Sequence, residues 1–152
     1  MNWDAIGAVS ELMGALGVIA TLLYLSIQVR QNSKMMKANS KQSISDASQQ
    51  LIYKMADEVE VMQKGLFEHE SLNPIEYRKL WFLSRAMLRG YEAQIFQHKV
   101  GLLDESEWND LKRVIVESVS YPGFASVWSD LSPAVSDELR NIIESETSLV
   151  TK

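Results

Sequence analysis

The sequence predicts an all-α protein, with a single N-terminal transmembrane helix continuing into a cytoplasmic helical bundle. Three observations predict it. Residues 5–29 hold eleven Leu, Ile or Val and one charge, Glu11; a helix spans a bilayer with about 20 mainly apolar residues at about 1.5 Å rise each. Three later stretches open with paired helix-start signals. No stretch alternates convincingly between apolar and polar residues, so no sheet is expected.

In the opening segment each Leu, Ile or Val contributes roughly -0.3 to -0.6 kcal/mol to insertion. Glu11 lies away from the centre, where a carboxyl costs less than the roughly 2.5–3.5 kcal/mol expected at the midplane. The alternative is the core helix of a soluble domain, but helices this long and apolar all round are rare in domains of this size. A cleaved secretory signal fits less well, because no basic residue precedes the apolar run and no convincing small-x-small site follows it. Asp4 precedes the segment and Arg30, Lys34, Lys37 and Lys41 follow it. The excess of cations on that side puts the N-terminus outside and the remainder in the cytoplasm. The expected plan is a transmembrane helix over 1–30, a helical stalk over 31–50 and a cytoplasmic bundle over 51–152, with the lipid bilayer as the first partner.

Small and polar residues interrupt the apolar run with a period. Gly7, Ser10, Gly14, Gly17, Thr21, Tyr24 and Gln28 are separated alternately by three and four residues. Helices in lipid associate through close packing of such residues, and this spacing favours near-parallel left-handed packing. The stripe therefore reads as the interface of a homo-oligomer; the bland reading is that Gly and Ser are common in membrane helices. Glu11 falls beside this seam. A ring of Glu11 side chains would suit the outer mouth of an oligomeric cation-conducting pore. The competing reading is a partly hydrated or protonated acid, hydrogen-bonded to a neighbouring Ser10.

Between Gly17 and Gly65 there is neither Gly nor Pro, so the helix is expected to continue, with Asn39–Ser40 its weakest point. Met35 and Met36 with nearby lysines suit anionic headgroups, although topology alone requires the basic residues. Leu51, Met55, Val59, Met62 and Leu66 then form one helical face. Asn73-Pro74-Ile75-Glu76 combines an N-cap, a proline at the first helical position and an acid three residues on. That helix should run to about His98 and end near Gly101, burying Tyr77, Leu80, Met87 and Tyr91. Asp104 and Glu107 repeat the signal ahead of Trp108, Leu111 and Ile115. Ser132-Pro133 is expected to open the last helix, with Val135, Leu139 and Ile142 inward. Tyr121 to Trp128 places three aromatics around a Pro-Gly turn, expected to plug the end of the bundle, with a protein-docking surface as the alternative.

Chemistry-bearing patterns are sparse. A net charge of -5 without a basic face argues against nucleic acid as partner. The absence of cysteine excludes disulfides, thiolate metal sites and a cysteine nucleophile. His69 and His98 stand outside any Glu-xx-His or His-Glu-xx-His pattern, so no metal site and no cofactor is expected. Arg85, Arg89 and Glu92 share one helical face; Arg89 and Glu92 read as a structural ion pair, with an anion-binding groove on the two arginines as the alternative. There is no Gly-rich phosphate loop, no Gly-x-Ser-x-Gly elbow and no convincing acid–base pair, so an enzyme is not expected. The expectation is an interaction, scaffold or sensor module, partnered by itself and by another membrane or cytoplasmic protein.

Several motifs together resemble a widespread group of small, functionally uncharacterised bacterial membrane proteins. They are Tyr24-Leu25-x-x-Gln28-x-Arg30-Gln31-Asn32, Arg89-x-x-Glu92 leading to Phe96-Gln97-His98, Gly101-Leu102-Leu103-Asp104-x-x-x-Trp108, and Pro122-Gly123 followed by Trp128. The resemblance spans most of the chain. It implies a bacterial origin and an anchored helical domain, and it carries over no catalytic residue; the expected location is the bacterial inner membrane.

Overall fold

The computed structural model describes residues 2–150. Among them there is no strand: the protein is all-α, with α1 (Trp3–Asp57), α2 (Val59–Phe67), α3 (Pro74–Lys99), α4 (Glu105–Val119), α5 (Pro122–Leu131) and α6 (Asp137–Val150). Short 3-10 turns at His69–Ser71 and Ser132–Ala134 join them. The chain divides into two compact units, one ending at Asn39 and the other starting at Ser40. The second begins within the segment that sequence assigns to a stalk.

The first unit is helix alone, and its described side chains are all exposed. It is long and apolar enough to cross a membrane by length and composition. Three of its hydroxyls turn back on the helix: Ser10 Oγ donates to Ile6 O at 2.9 Å, Thr21 Oγ1 to Gly17 O at 2.8 Å and Ser33 Oγ to Val29 O at 3.0 Å. A bond of this kind to the carbonyl one turn back satisfies a hydroxyl within its own helix.

The second unit is built around α3, which packs against α2, α4, α5 and α6. Leu80, Leu88, Ile115, Leu131, Leu139 and Ile143 are fully buried between these helices. Both expected helix starts are closed reciprocally. Asn73 Oδ1 accepts the N–H groups of Ile75 and Glu76 at 2.9 and 3.0 Å, while Glu76 Oε2 accepts that of Asn73 at 2.9 Å. Asp104 Oδ1 accepts the N–H of Glu107 at 2.9 Å, and Glu107 Oε2 accepts that of Asp104 at 3.0 Å. At the other end of α3, Gly101 takes φ +73°, so Leu102 N–H reaches Gln97 O and Gly101 N–H reaches His98 O, each at 2.9 Å. This pairing of two late carbonyls ends the helix and needs the left-handed conformation that glycine adopts without strain.

Several expectations are corrected. The helix does not weaken at Asn39–Ser40; the interruption comes at Glu58 (φ -113°, ψ 32°), whose carboxylate accepts from Lys79 Nζ at 2.9 and 2.7 Å. The expected continuous face from Leu51 to Leu66 is thereby split: Val59 is exposed, while Val61 and Gly65 turn inward. Pro122 does not make a turn but occupies the first position of α5, where its missing N–H costs nothing. Ser132-Pro133 forms its own 3-10 turn because Val135, extended (φ -98°, ψ 161°) and buried, is drawn into the core. Arg140 holds that turn, donating to Ser132 O at 3.1 and 2.8 Å, and α6 starts only at Asp137. The shifted start buries Ile143 and leaves Ile142 half-buried.

Candidate functional site

Gly7, Gly14 and Gly17 lie on an open helix surface, where an added Cβ would meet nothing within 4 Å. Ser10, Thr21, Tyr24 and Gln28 are exposed with them, and Gln28 Nε2 donates to the Tyr24 hydroxyl at 2.6 Å. The hydroxyl donors of Ser10 and Thr21 are directed to their own helix, so at those two positions the stripe presents shape rather than spare donors. Glu11 is exposed on the same helix.

On α3, Arg89 Nη1 lies 3.0 Å from Glu92 Oε2, and Glu92 Oε1 accepts the N–H of Ser136 at 2.6 Å, ahead of α6. Arg85 is half-buried, with Nη1 lacking a hydrogen-bond partner among the described residues. The His98 ring stacks on Trp108 with centroids 4.5 Å apart, and its Nε2 is 4.0 Å from Glu105. His69 lies in the turn after α2. Among the described residues no three His, Asp or Glu side chains are grouped to hold a metal. The Tyr121–Trp128 segment packs inward: Phe124 is buried against Trp128, and Tyr121 meets the edge of Phe67.

A large hollow in the second unit was not signalled by any motif. From Ser40 to Asp57, α1 runs antiparallel to α3. Ser40 Oγ donates to Gln97 Oε1 at 2.6 Å at one end, and the Glu58–Lys79 pair closes the other. Lys41 Nζ adds a bond to Glu107 Oε1 on α4 at 2.8 Å. Between these fixed points lies a trough of about 850 Å³. Ile44, Ala47, Leu51 and Met55 form one wall, Ala86, Gly90 and Ala93 the other, and Leu111 and Val114 of α4 the third side. An added Cβ at Gly90 would meet nothing within 4 Å. Small residues three or four apart on both helices, Ser43 with Ala47 and Ala86 with Gly90 and Ala93, were the available sequence signal.

Polar groups deep in the trough satisfy one another. The Tyr91 hydroxyl lies 2.6 Å from Ser118 Oγ, which in turn donates to Val114 O at 2.7 Å. Burial pushes the Tyr91 hydroxyl above the usual tyrosine range, so it stays protonated.

The capping carboxylates also carry interhelix ion pairs. Glu76 is held below the usual carboxylate range by the Asn73 N–H and then by Lys64. Glu107 is lowered by Lys41 and then by the Asp104 N–H, and Lys41 and Lys64 are raised in return. A carboxyl depressed in the folded state takes its proton first in the unfolded chain. Its contribution is therefore complete above the ordinary carboxyl range and is lost as pH falls through the depressed value. The lysine contributions hold below the ordinary lysine range and fade as pH rises above it. The urea midpoint of the full chain in detergent is expected to fall between about pH 5 and about pH 3, and less steeply in Glu76→Gln/Glu107→Gln. An identical acid limb in that variant would remove both carboxyls from the account.

Comparison of the chain with known protein families, curated protein sequences and solved structures finds no match.

Proposed function

We propose that the protein is a membrane-anchored, self-associating helical module that acts by binding rather than by catalysis. Residues 5–29 cross a bacterial inner membrane once with the N-terminus outside. The unit from Ser40 works in the cytoplasm as an interaction, scaffold or sensor module. The observation carrying this reading is a contrast. Leu16, Ile19 and Leu23 of the first unit are 53%, 53% and 62% exposed, whereas Leu88, Ile115 and Leu139 of the second are 0% exposed. The second unit has a complete core of its own, while the first has apolar surface on every side, a surface that water disfavours and a bilayer accepts. The cations after residue 29 support the orientation, and the resemblance described above supports the bacterial membrane.

Self-association is expected through Gly7, Ser10, Gly14, Gly17 and Thr21, where missing side chains allow helices to approach closely. The deciding measurement is native mass of the detergent-extracted chain. The expected result is a discrete oligomer that dissociates to monomer when Gly14 and Gly17 are both replaced by Leu. A monomer from the start, or an unchanged mass in the variant, would end the interface; extraction without detergent would end the anchor as well.

A further inference from the structure

We infer that the trough between the second half of α1, α3 and α4 is a binding site for a long-chain fatty carboxylate, with the chain along Gly90 and Ala93 and the head at Lys54 and Arg89. The inference concerns the second unit alone and does not depend on whether the first crosses a bilayer.

Shape is the first argument. The trough follows α3 from Ala86 to Gln97 and α1 from Ser43 to Met55, a length of about 16–18 Å at the helical rise. Its volume of about 850 Å³ lies within the range of ligand pockets, and an elongated slot between two helices suits an unbranched chain.

Chemistry is the second. The apolar part of the lining is Ile, Leu, Met, Val, Ala and Gly, Ser43, Ser48 and Gln50 of α1 are exposed to solvent at its edge, and the deeper polar groups are engaged. Tyr91 bonds to Ser118, Gln97 takes the Ser40 hydroxyl, and Gln94 donates to Gly90 O at 3.4 Å. A hydrocarbon chain therefore displaces water from this surface without stranding a buried donor or acceptor, whereas a polar ligand gains few partners there.

Charge is the third. The lining includes two cations, Lys54 and Arg89, and no carboxylate side chain. In the antiparallel register fixed by Ser40–Gln97 and Glu58–Lys79, Lys54 lies toward the Glu58 end of the trough and Arg89 near its middle. Their present partners, Asp57 at 3.5 Å and Glu92 at 3.0 Å, are outside the lining, and both cations are well exposed. The Lys54–Asp57 pair is exposed on both sides and contributes little, so an anionic head competes for Lys54 readily, while Arg89, itself 67% exposed, offers its remaining N–H groups beside the largely buried Glu92.

The test is native mass spectrometry of the full chain, stripped of lipid in a non-ionic detergent and incubated with palmitate. One adduct of palmitate mass per chain is expected. Gly90→Leu, which projects a side chain into the space open at that position, is expected to weaken it about tenfold or more, as is Ala93→Leu. Replacing a helical glycine favours the helix, so a folded variant is expected; its circular dichroism checks this. Lys54→Ala/Arg89→Ala is expected to weaken palmitate about tenfold and to leave hexadecanol unchanged. No adduct in the wild type overturns the inference. So does an adduct indifferent to Gly90→Leu, which would place palmitate on another apolar surface. Loss of the oligomer in Gly90→Leu without any palmitate adduct would assign the trough to a second copy of the chain and overturn it equally.

Discussion

Gly123→Ala is expected to destabilise the second unit strongly. The methyl group would lie 1.5 Å from the carbonyl oxygen of Gly65, 2.5 Å from its carbon and 2.9 Å from Leu66 Cα. All three are backbone atoms of α2, so no rotamer change relieves the overlap and the two helices must part. Parting them exposes Phe124, Val127 and Val61, now 5%, 0% and 7% exposed. Overpacking at a flexible contact costs about 1–3 kcal/mol. With backbone on one side and an opened core on the other, about 3 kcal/mol or more is expected, a large share of the roughly 5–15 kcal/mol that stabilises a domain. Urea unfolding of the full chain in detergent, followed by circular dichroism, measures it. Gly90→Ala is the internal comparison: its Cβ meets nothing within 4 Å, and the better helix former should gain up to about 1 kcal/mol. Equal effects at the two positions would mean that α2 and α5 do not meet through their glycines.

Leu16→Arg combined with Ile19→Arg is expected to move the chain from the membrane to the soluble or aggregated fraction. Eleven Leu, Ile or Val residues in the segment 5–29 favour insertion by roughly 3–7 kcal/mol in total. Two arginines near the middle oppose it by roughly 5–7 kcal/mol while removing two of those favourable residues. The sign of the balance changes. Carbonate-washed membranes probed for the full chain give the answer, with Leu16→Ala/Ile19→Ala as the control that stays inserted. If the double arginine chain remains membrane-bound to the same extent, the first unit does not hold the protein there.

What could be read from residues depended on how local the cause was. The starts of α3 and α4 were legible because Asn73 with Glu76, and Asp104 with Glu107, complete their bonds within one turn. The end of α3 was legible for the same reason, through Gly101. The interruption at Glu58 was not, because Asp57-Glu58-Val59 contains neither Gly nor Pro and the carboxylate's partner, Lys79, is far along the chain. Pro122-Gly123 reads equally as a turn or as a helix start; what decides is the fit of Gly123 against Gly65. Ser132-Pro133 was a plausible start displaced by the burial of Val135 and by Arg140. The exposed apolar helix was plain from composition, whereas the trough arises from two small-residue faces whose opposition only the tertiary structure supplies.

The two capping carboxylates have a consequence for how the second unit assembles. One oxygen of Glu76 closes the start of α3 while the other takes Lys64 of α2, and Glu107 does the same for α4 and Lys41 of α1. A side chain fixed by its own helix has already lost its rotational freedom before the neighbouring helix arrives, so docking forfeits less entropy than two free side chains would. Nucleation of α3 and α4 thus prepares the landing points for the helices that follow. The link also runs in reverse: detaching Lys41 or Lys64 removes a constraint from the carboxylate that starts the helix. Local order and tertiary order are coupled through single residues, which makes the unit more cooperative than its modest number of interhelix ties suggests.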